Sequence, residues 1–307
     1  MTVPPSPAER FPADRPAAEK SPVDLPAPVA VADPSDPRLD DVRDLNRSDS
    51  RPDLPGGKGL VIAEGALVVP RLIASRFPLR CIVGTESRLA TLAGDLRASG
   101  DPAALAAAAA VPWYAVTRET LAGAAGFDLH RGLLAVADRA PETPVAEVVE
   151  GARTLLVLEG VGDHENIGAL FRNAAGMGVD GVLFGAACAD PLYRRVVRVS
   201  MGHVLRTPFA HLPGTVTTWQ RSLDLLADEG FRLVSMTPDE AAVPLWEAMG
   251  HEKVAVLVGG EGPGLTEHAM RATDVRARIP MSPGTDSLNV ATSAAIAFYE
   301  RLRVTSG

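Results

Sequence analysis

The chain has 307 residues, 46% of them hydrophobic and 22% charged, which supplies ordinary cores and excludes wholesale disorder. Its formal charge of −8 is far from the basic balance of a non-specific nucleic-acid binder, and residues 1–55, with 11 acids against 7 Lys and Arg, supply half of it. Two distant cysteines, Cys81 and Cys188, exclude a disulfide framework or a Cys-type zinc site, and no apolar run reaches the roughly 18 residues of a membrane span.

Length over ~150 suggests two domains. Residues 1–40 hold ten prolines and no periodic apolar face, so a disordered tail is expected, one whose removal leaves stability unchanged. The same stretch lacks the basic-then-apolar order of a signal peptide, and a cytoplasmic location is expected. With a polar linker the tail runs to about residue 50, and Pro55-Gly56-Gly57 punctuates the entry to folded sequence. Strands are expected at 60–63, 81–83, 113–116 and 133–136, with helices at 66–75, 88–96 and 119–125 between them. This makes a small α/β domain within 51–140, and a Pro-containing linker follows at 140–148.

A second alternation fills residues 150–307. Strands are expected at 154–158, 181–184, 232–235, 254–258 and 275–279, and helices at 167–177, 193–201, 216–228, 266–271 and 289–302. Such alternation implies a mostly parallel sheet covered on both faces.

Three segments carry candidate chemistry. The first runs from Glu159 through a Gly-rich turn to Asn166, Arg172 and Asn173, at a strand end where open α/β sheets bind ligands. Asn166 could equally cap the helix. The second, 259–265, reads Gly-Gly-Glu-Gly-Pro-Gly-Leu after an apolar strand. Its glycines let a backbone approach a ligand closely, yet it lacks both G-x-G-x-x-G and the Walker Lys-Ser/Thr, and Glu261 would repel phosphate. A tight strand–helix turn explains it as well. Valine at Gly259 is expected to block a ligand while leaving the protein folded. The third, 279–290, contains Ile279, Met281, Ser287, Leu288 and Asn289, where Ser287 or Asn289 could cap the final helix.

In this order and spacing the three segments resemble the SpoU (TrmH-type) branch of the SPOUT RNA methyltransferases, over residues 154–303. Residues 58–137 resemble the small ribosomal-protein-like RNA-binding domain that often precedes it. The resemblance implies an α/β parallel-sheet SPOUT domain with a deep trefoil knot, binding S-adenosyl-L-methionine through Gly259, Gly260, Ile279, Met281 and Leu288. It implies methyl transfer to a ribose 2′-hydroxyl of rRNA or tRNA, with Arg172, Asn166, Glu261, Ser287 and Asn289 as catalytic residues and no metal. Arginine's pKa above about 12 makes Arg172 a phosphate clamp rather than a base. Family members are homodimers with shared active sites, which the small residues of the final helix would suit. Arg194, Arg195, Arg198 and Arg206 lie in an acid-free stretch expected to meet RNA phosphates. An inactive RNA-binding or ribosome-assembly factor on the same fold is the alternative, and the intact polar set argues against it.

Overall fold

The computed structural model describes residues 23–47, 58–282 and 284–305. The first unit contains β1 (Val29–Ala30), β2 (Val61–Glu64), α1 (Val69–Ile73), β3 (Leu79–Gly84), α2 (Glu86–Ser99), α3 (Pro102–Ala109), β4 (Trp113–Ala115), α4 (Arg118–Ala125) and β5 (Leu133–Ala137). Its sheet has the order β1-β4-β3-β5-β2. The first three strands run parallel, and β5 is antiparallel to both its neighbours. Helix α3 lies in an alanine-rich stretch without a periodic apolar face. Its start is nonetheless written in the chain: Asp101 accepts from the N–H groups of Ala103 and Ala104 at 2.9 and 3.1 Å, and Pro102 occupies the first turn.

The expectation of a disordered tail fails for its second half. Residues 23–47 pack on the small domain, whereas residues 1–22 lie outside the described residues. Strand β1 pairs with β4, and Leu39, Val42 and Leu45 are at most 2% exposed. Leu39 and Val42 are spaced by three, the repeat of the 3₁₀ turn that covers Pro37–Val42, so they line one edge, and Leu45 opens a second short 3₁₀ turn, Leu45–Arg47. Proline density masks that period. Arg80 completes the docking by bridging Asp41 at 2.7 Å and Asp138 at 3.0 Å.

The second unit follows as α5 (Val145–Val149), β6 (Thr154–Glu159), α6 (His164–Gly176), β7 (Gly181–Phe184), α7 (Arg194–Val199) and β8 (Phe209–His211). Then come α8 (Asp224–Asp228), β9 (Phe231–Met236), β10 (Val243–Pro244), α9 (Leu245–Ala248), β11 (Lys253–Gly259), α10 (Glu267–Arg271), β12 (Val275–Arg278) and α11 (Val290–Thr305). The seven strands are all parallel, in the order β10-β12-β9-β11-β6-β7-β8. Central β6 and β11 are buried along almost their whole length, as their unbroken apolar runs require.

Helix α11 lies against α6 and β11. Its small residues Ala291, Ala294 and Ala297 are buried inside this chain, so they do not form the outward face expected for a partner subunit. Near its end, Arg301 is 3% exposed and donates to the carbonyls of Met249, His251, Arg153 and Glu252, which ties the helix to the strand entrances.

The two units share one continuous apolar cluster and a polar seam. Across the seam Arg194 pairs with the buried carboxylate of Glu64, and Arg71 Nη1 donates to the Met201 carbonyl at 2.5 Å. Arg139 and Lys58 both reach Asp190, at 2.8 and 3.2 Å. Burial pushes the Asp190 carboxyl up, but Arg139, the Leu192 N–H and Lys58 outweigh it and leave its pKa below the ordinary value.

Candidate active site

The site is built where β6 and β11 end side by side. Their register pairs Gly259 with Glu159, so the two following loops leave the sheet at the same level. A Cβ on Gly260 would sit 2.0 Å from the Gly160 carbonyl oxygen, and one on Gly259 2.0 Å from the Gly264 carbonyl carbon. The glycines are therefore demanded first by the loops' own packing. This corrects the expectation for valine at Gly259, which would force the loop apart whether or not a ligand is bound.

Three polar side chains from distant parts of the chain meet beside these loops. Asn166 Nδ2 donates to Glu261 Oε1 at 2.7 Å, and Asn289 Nδ2 donates to Asn166 Oδ1 at 2.9 Å and to Glu261 Oε1 at 3.3 Å. Asn289 Oδ1 simultaneously accepts from the N–H groups of Ala291 and Thr292, capping α11. Asn166 does not cap α6, because Asp163 does so by accepting from the Glu165 N–H at 2.8 Å. Asn166 is instead 7% exposed, with its amide held in this network.

A cavity of about 480 Å³ opens over the loops. Gly259, Gly260, Ile279, Met281 and Leu288 line it together with Glu261, Ser287 and Asn289, so the second and third segments converge there, while Asn166 of the first joins only through its hydrogen bonds to Glu261 and Asn289. Sequence reasoning misses Met236, the last residue of β9, Thr237 and Pro238 just after it, and Ser293 on α11. The first three lie at the carboxyl end of a central parallel strand, which is the signal that could have found them.

Glu159 has a role that its place in the sequence does not announce. It is 5% exposed, and its carboxylate accepts from Trp219 Nε1 at 2.9 Å, from Thr266 N–H at 2.7 Å and from Thr266 Oγ1 at 3.0 Å. It acts as a positioning residue that joins the loop before α8, the start of α10 and the end of β6.

Arg172 stands apart from this set. Six residues after Asn166 on α6, it is turned through about 240° and points away, since each residue advances about 100°. It is exposed, does not line the cavity, and makes no hydrogen bond or ion pair among the described residues. Its charge bears instead on His203, whose pKa is lowered by burial first and then by Arg71, Arg206 and Arg172.

The arginine strip divides. Arg194 is taken up by Glu64 and lies over the Phe127 ring, 5.0 Å from its centroid, so it is a tie between domains rather than a phosphate contact. Arg195 pairs with Glu165 at 2.8 Å on the surface. Arg198 and Arg206 make no hydrogen bond or ion pair among the described residues, and Arg206 is exposed. Within the same described residues no three His, Cys, Asp or Glu side chains gather as metal ligands, and no helix is long and apolar enough to cross a membrane.

Residues 153–299 match the model of the SpoU rRNA Methylase family. A protein of Mycobacterium tuberculosis (strain ATCC 25618 / H37Rv), described as an uncharacterized tRNA/rRNA methyltransferase, is 57% identical over 89% of this chain and 91% of its own length. The chain belongs to the SpoU rRNA methylase family. Among solved structures, an RNA 2′-O ribose methyltransferase superposes with a TM-score of 0.66 at 26% identity, covering 91% of this chain and all of the other. An rRNA methyltransferase from Sinorhizobium meliloti, solved with AdoMet bound, shares the fold at a TM-score of 0.69 and 22% identity, over 90% and 97% of the two chains. The C-terminal sheet is thus the knotted α/β SPOUT type, and Ile279, Met281, Ser287, Leu288 and Asn289 line one cavity with the residues after β9 and β11.

Proposed function

We propose that this protein is an S-adenosylmethionine-dependent RNA methyltransferase that modifies a ribose 2′-hydroxyl of rRNA or tRNA in the cytoplasm. The observation that carries the reading is the joining of Asn166, Glu261 and Asn289 at the rim of the glycine-lined cavity. The cavity's volume falls in the ~300–1,000 Å³ range of small-ligand sites. Its wall also fits the group: apolar Ile279, Met281 and Leu288 suit a heterocycle, and loop backbone with Thr237 and Ser287 suits hydroxyls and amines. S-adenosylmethionine, when bound, supplies an electrophilic methyl group.

This chain's residues supply position. The glycine loops hold backbone groups close to the ligand, and the Asn166–Glu261–Asn289 network fixes the rim without a mobile side chain. Holding two reactants in line is itself worth several kcal/mol, about 7–11 at most. Arg172 clamps an RNA phosphate through its planar fork, and a developing alkoxide gains from the positive potential around it. The proton of the 2′-hydroxyl passes to water as its oxygen takes the methyl group.

Arg172 lies outside the cavity of its own chain, so the reading includes a homodimer in which one subunit's Arg172 serves the other's cavity. Support comes from α11, which leaves Ile296, Tyr299 and Leu302 exposed at 36%, 61% and 40% after its alanines are buried. The small domain serves as an RNA-binding domain.

The test is Arg172→Ala under single-turnover conditions with saturating RNA. The rate should fall by at least about tenfold, roughly 1.4 kcal/mol, with S-adenosylmethionine affinity nearly unchanged. Turnover at the wild-type rate would remove Arg172 from the site.

A further inference from the structure

A second cavity, of about 430 Å³, lies in the small domain and is lined by Arg88, Arg118, Arg131, Thr85, Ser87 and Thr91, with Gly132 at its base. Among the described residues no carboxylate lines it. It opens beyond the carboxyl ends of the parallel strands β3 and β4, because Thr85 follows Gly84 directly and Arg118 lies three residues past Ala115. Ligands of open sheets bind in that position.

One of the three arginines is held in place and two are free to turn toward a ligand. Arg131 lays its Cδ where a Cβ on Gly65 would come within 2.7 Å, and its Nη1 donates to the Glu64 carbonyl at 3.3 Å. The side chains of Arg88 and Arg118 make no hydrogen bond or ion pair among the described residues, and Arg118 lies beside the exposed Glu119. Three guanidinium groups around one cavity with no facing acid repel one another, and an anion with several oxygens relieves that repulsion through forked hydrogen bonds. The hydroxyls of Thr85, Ser87 and Thr91 extend the donor set.

One hydrogen bond, two ion pairs and two pairs of chain neighbours lie between the cavity and the candidate active site. Arg131 touches Glu64, Glu64 holds Arg194, the adjacent Arg195 pairs with Glu165, and Glu165 precedes Asn166. The geometry points to a phosphate-binding pocket that holds a backbone phosphate of the RNA substrate at a distance from the methylated nucleotide, so that both domains grip one strand. The inference rests on the RNA-methylation reading above. Free phosphate or a small phosphoester shares the chemistry, and the test separates the two sources.

The full-length protein is titrated with a short fluorescein-labelled single-stranded RNA of mixed sequence at several salt concentrations, and separately with inorganic phosphate by calorimetry. The variants are Arg88→Ala/Arg118→Ala and the milder Arg118→Gln. The double variant should bind RNA about tenfold more weakly, with S-adenosylmethionine affinity unchanged. Its salt slope should be shallower by about 0.7 for each RNA phosphate that is no longer neutralised. Arg118→Gln should fall between it and wild type. RNA affinity and slope equal to wild type overturn the inference. The same result with loss of inorganic phosphate binding keeps the phosphate chemistry but overturns RNA as its source. Wild-type protein that neither binds nor methylates RNA contradicts the underlying reading, whereas wild-type methylation with an indifferent pocket contradicts the pocket alone.

Discussion

Asn289 performs two tasks with one amide. Its Oδ1 caps α11, and its Nδ2 binds Asn166 and Glu261 at the cavity rim. The tasks separate in Asn289→Asp, which keeps the cap oxygen but loses both donations and sets a second carboxylate beside Glu261. Thermal stability should stay within about 1 kcal/mol of wild type, since Asp caps as well as Asn and Ala would cost about 1. S-adenosylmethionine affinity or turnover should nevertheless drop, by an amount read from equilibrium binding and single-turnover rates. Normal binding and turnover in the folded variant would show that the network only supports the fold. The sequence makes Asn166, Glu261 and Asn289 visible as members of three spaced motifs. It does not show that they bond to one another, because that depends on the β6–β11 register and on the fold bringing Asn289 within reach of residues 123 and 28 positions earlier in the chain. Glu159 is invisible for the opposite reason: a lone acid at a strand end has no pattern, and its donors lie 60 and 107 residues away.

At the scale of elements, the strands of both sheets are legible wherever a continuous apolar run marks them, as in β6, β7, β9 and β11. Short or polar pieces are not. Strand β8 has three residues, β10 two, and β1 two at the end of a Pro-rich stretch. The segment around the Pro37–Val42 turn shows the cost of reading composition alone, since Leu39, Val42 and Leu45 supply a buried edge that average polarity conceals. Leu39→Ala should therefore destabilise the protein by about 2–5 kcal/mol, the range for truncating a buried leucine. Chemical denaturation followed by fluorescence of Trp113, which is 1% exposed in the small domain, gives the readout. Unfolding midpoints equal to wild type would mean that the segment does not stay docked in solution. Helix α11 carries the same lesson in reverse: its alanines are legible as a close-approach face, but only the fold shows that α6 and β11 already occupy it.

For the whole molecule, the consequential correction is Arg194. In sequence it is one arginine of a basic strip; in the fold its guanidinium enters the seam between the domains and meets Glu64, which is 5% exposed. Breaking a buried pair by removing one partner strands a charge, at about 3–5 kcal/mol. Arg194→Ala should lower stability on that order while the salt dependence of RNA binding changes little. Paired replacement as Glu64→Leu/Arg194→Met should recover much of the loss, because apolar substitutes of similar volume often match a buried pair. A stable Arg194→Ala protein with a shallower salt slope would return this residue to the RNA-binding set. A net charge of −8 coexists with an RNA substrate because the cations at Arg172, Arg206, Arg88 and Arg118 are local, and the total says little about them.

The proposed activity is defined by the atom that receives the methyl group. Its direct test is to incubate the protein with methyl-labelled S-adenosylmethionine and unmodified rRNA or tRNA, then hydrolyse the RNA in alkali. A 2′-O-methyl group removes the hydroxyl that alkaline cleavage requires, so label is expected in alkali-resistant dinucleotides. Label confined to mononucleotides would place the methyl on a base, and no incorporation into either RNA class would contradict the assigned activity.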